Sequence, residues 1–117
     1  MSAPLPVDAI LPDLARALAS SRSLVLQAPP GTGKTTRVPT AVARCVEGRV
    51  VVLEPRRMAA RAAARRVAGE WGTPLGQDVG YQVRGDAKRS ERTCVLFVTE
   101  GVFLRQATAD PFLDGVG

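Results

Sequence analysis

The stretch APPGTGKTT at positions 28–36 decides the fold that we predict for this chain. A short apolar run at 23–27 precedes it and predicts a buried strand, and the apolar spacing over 34–46 predicts a helix. A glycine-rich loop between a strand and a helix aims backbone N–H groups at an anion, with the positive end of the helix dipole behind them. The sequence therefore predicts a phosphate-binding loop.

The residues of this loop carry the predicted chemistry. Gly31 and Gly33 allow backbone conformations that other residues avoid, so that successive N–H groups can surround a phosphate. Lys34 adds a positive charge for the β- and γ-phosphates of a nucleotide, and Thr35 offers a hydroxyl to Mg²⁺. Ala28 stands where the full pattern G-x-x-x-x-G-K-[ST] has its first glycine, so the loop departs from that pattern at one position.

The rest of the chain alternates between strand and helix patterns. We predict a packing helix at 7–19, strands at 49–53, 79–84 and 93–99, helices at 57–71 and 100–107, and a turn at 85–86. Near-continuous apolar strands that alternate with helices are typical of a parallel sheet covered on both faces. The predicted fold class is therefore α/β, with a parallel sheet between two layers of helices.

The net charge of +5 is concentrated in one part of the chain. The window 44–66 contains seven arginines and two acidic residues, so its net charge of +5 equals that of the whole chain. A local basic region suits a polyanion, because neutralised phosphates release their counterions. Arginine makes up 14 of the 16 basic residues, and a biased composition would produce the same excess. The charge alone therefore leaves nucleic-acid binding open.

The cysteines and the N-terminus bound the class of protein. The chain has two cysteines, Cys45 and Cys94, and no histidine, which argues against a zinc site. Both cysteines lie in apolar surroundings and are predicted to be buried free thiols in a reducing compartment. The sequence shows neither a signal-peptide pattern nor a membrane-span pattern, so we expect a cytoplasmic protein.

Four blocks of sequence together resemble the first RecA-like lobe of superfamily 2 helicases, and among these the DEAH/RHA group. The blocks are APPGTGKT at 28–35, EPRRMAAR at 54–61, VGYQVR at 79–84 and VTEGVFLR at 98–105. They cover nearly the whole chain in the right order. The resemblance implies a P-loop NTPase with a RecA-like sheet, which binds ATP or another NTP with Mg²⁺ and couples hydrolysis to movement along, or unwinding of, RNA.

The resemblance also implies roles for individual residues. The positions that match the nucleotide-binding motif I are Ala28, Gly31, Thr32, Gly33, Lys34, Thr35 and Thr36. Among these, the catalytic positions would be Lys34 and Thr35, and Thr35 would also hold the metal. Arg66 matches an arginine that stacks on the adenine in DEAH relatives.

Two further motifs of the family contact the backbone of single-stranded RNA. Arg56 and Arg57 match motif Ia, and Thr99 and Glu100 match motif Ib. The arginines at 57, 61 and 65 share one helical stripe, for which RNA contact and a solvated helix face both remain open.

The resemblance divides the chain into a packing helix at 1–22 and part of a helicase ATP-binding domain at 23–117. We expect this domain to stop before the family's Asp-Glu-x-His motif, because no Asp-Glu pair follows Thr99. We therefore expect a fragment, inactive alone, whose complete form needs a second RecA-like lobe.

Two alternatives remain. One is a non-enzymatic nucleotide- or RNA-binding module. The other is a different P-loop ATPase or kinase, in which Glu54 would be the candidate acidic partner of Mg²⁺.

Overall fold

The structure, a computed structural model, describes residues 6–20, 34–109 and Val116. A 3₁₀ helix precedes four α-helices and four strands in this part of the chain. The 3₁₀ helix spans Pro6–Ile10, and the other elements are α1 (Leu11–Ser20), α2 (Lys34–Ala43), β1 (Val50–Glu54), α3 (Arg57–Trp71), β2 (Val79–Val83), β3 (Asp86–Lys88), β4 (Val95–Thr99) and α4 (Glu100–Ala109). The predicted strand at 23–27 lies outside the described residues. Within them, no helix combines the length and the apolar character that crossing a bilayer requires.

The four strands form one sheet in the order β1–β4–β2–β3. β4 pairs in parallel with β1 on one side and with β2 on the other, which confirms the parallel pairing predicted for these strands. Val116 forms an isolated parallel bridge with Arg49, directly before β1.

The edge strand β3 corrects the prediction of a purely parallel sheet, because it pairs antiparallel with β2. The expected turn at 85–86 is also displaced, since Asp86 already pairs with Val83. Gly85 has a φ of 81°, which lets the chain reverse within two residues. A strand of three residues without an apolar run has no hydrophobic periodicity from which it could be predicted.

Helices cover the two faces of the sheet, as predicted. On one face, the alanine-rich side of α3 packs against Val79, Tyr81 and Phe97. The buried residues of α3 are Ala60, Ala63, Ala64, Val67 and Ala68. Their small side chains allow the helix to approach the sheet closely. On the other face, Val102 of α4 packs against Leu96 and Val98 of β4.

Several predicted element ends shift by a few residues. The pattern over 34–46 overestimates α2, which ends at Ala43. α3 occupies the predicted range and stops at Gly72, whose left-handed φ of 70° lets its N–H bond to the last turn.

The prediction of buried cysteines is wrong, because Cys45 and Cys94 are both exposed. Cys45 follows the end of α2, and Cys94 precedes β4. Their apolar sequence neighbours therefore belong to the packed elements, whereas the thiols lie at the ends of those elements.

Candidate nucleotide and nucleic-acid site

The predicted phosphate loop leads directly into a helix. α2 begins at Lys34, as the motif requires. Ala28, Gly31, Thr32 and Gly33 lie outside the described residues, as do the side chains of Lys34 and Thr35. Thr36 is buried, with 7% of its surface exposed. The start of α2 presents N–H groups that no carbonyl of the helix accepts, and such a helix start favours an anion.

The predicted RNA contacts of motif Ia lie between β1 and α3. Arg56 is the N-cap of α3, in an extended conformation, and its side chain makes no capping hydrogen bond. Arg57 is the first residue of the helix, and both arginines are exposed. Neither forms an ion pair with any other residue that the structure describes. Two exposed guanidinium groups thus flank the positive end of α3.

Motif Ib lies beside motif Ia. Thr99 ends β4 and Glu100 begins α4. In the parallel pairing of β1 with β4, Glu54 is directly opposite Thr99. Both strands therefore end at the same level, about 5 Å apart. The chain leaves both strands at the carboxyl edge of the sheet, where open α/β sheets bind their ligands.

The arginines of the predicted α3 stripe do not share one environment. Arg57 and Arg65 are exposed, but the Nε atom of Arg61 lies 3.4 Å from Oδ2 of Asp86. Its guanidinium carbon also lies 5.8 Å from the centre of the Tyr81 ring. Arg61 thus belongs to a contact within the chain. Arg66 is exposed on α3, nine residues after Arg57 and about 13 Å further along the helix axis.

The partners of Arg61 were not predicted from the sequence. Tyr81 is buried, and its hydroxyl donates a 2.7 Å hydrogen bond to Oδ2 of Asp86. This hydrogen bond and, after it, burial of the ring raise the pKa of Tyr81 above its ordinary value. Recognition of the two-residue turn between Val83 and Asp86 would have predicted this contact, because the resulting hairpin brings Asp86 back toward Tyr81.

The described residues include no group of three or more histidine, cysteine or acidic side chains placed to hold a metal ion. The assignment of Mg²⁺ to Thr35 therefore stays a prediction.

No protein-family model matches the chain. The chain is 41% identical to the ATP-dependent RNA helicase HrpB of Escherichia coli (strain K12), over 97% of its own length and 14% of that protein. It is 34% identical to the DExH-box ATP-dependent RNA helicase DExH1 of Arabidopsis thaliana, over 96% of its length and 12% of that protein. The crystal structure of the E. coli DEAH/RHA helicase HrpB matches 97% of the chain, with a TM-score of 0.91 and 41% identity.

The chain spans only about one seventh of the length of the first of these relatives. The agreement in sequence and in backbone covers nearly the whole chain. The RecA-like α/β fold predicted from the sequence is therefore confirmed. Over nearly its whole length the chain is therefore a homologue of one segment of the DEAH/RHA helicases.

Proposed function

We propose that this chain binds a nucleoside triphosphate and the backbone of single-stranded RNA, as part of an ATP-dependent RNA helicase. The observation that carries the proposal is the register of β1 and β4, in which Glu54 lies opposite Thr99. This register brings motifs Ia and Ib to neighbouring positions at one sheet edge. Relatives that share the segment are named ATP-dependent RNA helicases.

The nucleotide would bind at the loop that precedes α2. The proposed contacts are Ala28, Gly31, Thr32, Gly33, Lys34, Thr35 and Thr36. The start of α2 at Lys34 supports this assignment, because the helix adds partial positive charge behind the phosphates. Mg²⁺, held by Thr35, would neutralise charge on the phosphate oxygens. The exposed guanidinium of Arg66 would be free to stack on the adenine.

The RNA backbone would bind at the start of α3 and of α4. Arg56 and Arg57 supply positive charge and hydrogen-bond donors, which suit phosphate groups without reading the bases. The carboxylate of Glu100 repels a phosphate, so a contact at Thr99 and Glu100 would use the N–H groups at the start of α4. We therefore expect little sequence preference.

Sustained hydrolysis would need more than these residues. The 117 residues contain no Asp-Glu-x-His segment that could complete the Mg²⁺ site and orient the attacking water. We propose that an Asp-Glu-x-His segment of the same lobe and a second RecA-like lobe complete the active site, and that the 117-residue chain binds nucleotide without turnover. The cytoplasmic location stays a prediction.

Calorimetric titration of the chain with ATP, in the presence of Mg²⁺, tests the nucleotide site. Wild-type chain should bind, and Lys34→Ala should lose most of the affinity. A steady-state phosphate-release assay, with and without RNA, tests the absence of turnover. Sustained turnover that disappears in Lys34→Ala would show that the chain is a complete NTPase and would contradict this part of the proposal.

Fluorescence anisotropy with a labelled single-stranded RNA tests the second site. Arg57→Gln should weaken binding roughly tenfold, as expected for loss of a hydrogen bond to a charged group. Arg44→Gln is the matched control, because Arg44 is also exposed, forms no ion pair with a described residue and lies before β1, at the opposite edge of the sheet. Equal losses in both variants would mean that general charge, and not motif Ia, binds the RNA.

The two titrations also separate the alternative functions. A chain that binds nucleotide but does not bind RNA would favour another P-loop ATPase or kinase. In that case Glu54→Gln should weaken the contribution of Mg²⁺ to binding. Binding of both ligands, with no stimulation of hydrolysis by RNA even when the missing part of the active site is supplied, would favour a non-enzymatic module.

A further inference from the structure

One arginine links the phosphate-loop helix to two other elements. Arg37 lies in the first turn of α2, three residues after Lys34. Its Nη1 atom lies 3.5 Å from Oδ2 of Asp8, in the 3₁₀ helix. Its Nε atom lies 3.9 Å from Oε1 of Glu70, in the last turn of α3. Asp8 and Glu70, each more than 25 residues from Arg37 in the sequence, thus both contact the start of α2.

These ion pairs are partly buried. The side chains of Arg37, Asp8 and Glu70 are 20%, 27% and 18% exposed. Salt screens such pairs less than it screens pairs on the open surface. Removal of the guanidinium would take a positive charge away from two partly buried carboxylates, and the ionised forms of both would lose its stabilisation. The charge of Arg37 therefore opposes separation of the three elements.

Arg37 is one of several contacts at the start of α2. In the described part of the chain, a cavity of about 710 Å³ adjoins Arg37, Asp8 and Glu70, and the neighbouring Thr36 is buried. One turn further along α2, Trp71 Nε1 donates a 2.8 Å hydrogen bond to Oγ1 of Thr40. This second link also joins α2 to α3, but Arg37 is the one nearer the loop.

We propose that Arg37 is a positioning residue for the nucleotide site, acting through Asp8 and Glu70. The phosphate loop ends where α2 begins, so the tilt of the first turn of α2 sets the direction of the N–H groups that face the phosphates. A site that is held in its binding geometry beforehand spends less free energy on ordering when the ligand arrives. The N-terminal segment thereby acquires a role beyond packing. This inference rests on the proposed nucleotide binding.

The test compares two links between the same pair of helices. Arg37→Gln removes the charge near the loop, and Thr40→Val removes the hydrogen bond from Trp71 one turn away. Affinity for ATP with Mg²⁺ is measured by calorimetry and the unfolding midpoint by urea titration. Arg37→Gln should weaken ATP binding by about fivefold or more, a typical coupling between sites. Thr40→Val should lower the unfolding midpoint but leave the affinity within about twofold of wild type, below that range. Arg37→Lys keeps the charge and should restore most of the affinity.

Hydrogen–deuterium exchange of the chain without nucleotide gives a second measurement. Arg37→Gln should speed exchange at the amides of residues 38 and 41, which bond to carbonyls of the first turn, relative to residues 42 and 43, and Thr40→Val should not. Equal losses of ATP affinity in Arg37→Gln and Thr40→Val, or unchanged affinity in Arg37→Gln, would overturn the proposal. If the wild-type chain binds no ATP, the proposed function fails. The exchange data then decide the role of Arg37, because equal exchange at residues 38 and 41 in both variants refutes it and selective loss of protection in Arg37→Gln supports it.

Discussion

A single methyl group at Gly80 tests how closely the edge hairpin packs. Gly80 lies in β2, and a Cβ atom built on it would lie 2.3 Å from the carbonyl oxygen of Lys88 and 3.2 Å from Cα of Arg89. Both of these are backbone atoms, so no flexible side chain can turn away. An ordinary contact begins near 3.4 Å, and Gly80→Ala therefore forces the end of β3 about 1 Å away from β2.

The expected cost follows from this displacement. Overpacking a filled site costs about 1–3 kcal/mol, and we expect about 2 kcal/mol for Gly80→Ala, because backbone has to move. The fluorescence of Trp71, the one tryptophan of the chain, reports unfolding in urea. The midpoint should fall while the slope of the transition stays the same, since the native state keeps its overall fold.

Gly69→Ala is the matched control. Gly69 lies in the interior of α3, and an added Cβ would meet nothing within 4 Å. The same methyl group should therefore stabilise the chain by up to about 1 kcal/mol, through helix propensity alone. A Gly80→Ala variant within about 0.5 kcal/mol of wild type, as for an ordinary surface substitution, would refute the close approach of β2 and β3.

Three shorter predictions concern Tyr81, the α3 arginines and the thiols. Tyr81 is the only tyrosine, so absorbance at 295 nm should show tyrosinate forming above the value of about 10 for free tyrosine, and Asp86→Asn should lower that pKa. Because folding raises this pKa, the stability that Tyr81 contributes is complete below pH 10 and is lost as the pH rises through the folded value; Tyr81→Phe should remove this loss. Arg61→Gln should weaken RNA binding less than Arg57→Gln does, since Asp86 already neutralises Arg61; an equal loss in anisotropy titrations would show that Arg61 reaches the RNA. Both cysteine thiols should react with Ellman's reagent in the native chain, and a thiol that reacts only after unfolding would contradict their exposure.

Local periodicity predicted the elements that build the core. α3 follows its predicted range because its alanines repeat at helical spacing, and this spacing is also what lets them face the sheet. β1 and β4 appear as apolar runs because both faces of these strands meet other elements. The parallel order of strands then fixed which edge carries motifs Ia and Ib.

Contacts between side chains could not be predicted in the same way. The ion pair of Arg37 with Asp8 joins residues that are far apart in the sequence, and no local pattern shows that they are close in space. The hydrogen bond from Tyr81 to Asp86 depends on the position of a turn, for which Gly85 is the sequence signal. Burial of Cys45 was predicted from its neighbours, although a helix end two residues earlier decides its exposure.

The basic charge of the chain becomes informative only after its internal pairs are known. Seven arginines of the window 44–66 would suggest up to seven phosphate contacts, and a salt slope near −5 at about 0.7 per contact on a single strand. Arg61 is neutralised by Asp86, and Arg49 donates to the carbonyl of Thr93 at the amino edge of the sheet. Arg44 also lies at that amino edge, between α2 and β1, away from motifs Ia and Ib.

Four arginines of α3 and its N-cap keep no carboxylate partner among the described residues, and two of them lie beside motif Ib. They are Arg56, Arg57, Arg65 and Arg66. Two to four contacts predict a slope of about −1.4 to −2.8 for single-stranded RNA when anisotropy titrations are repeated over a range of salt concentrations. A slope near −5 would show that charge binds RNA wherever it occurs on the chain. A slope in the lower range, made shallower by Arg57→Gln and not by Arg44→Gln, would show that the RNA is confined to the edge where β1 and β4 end.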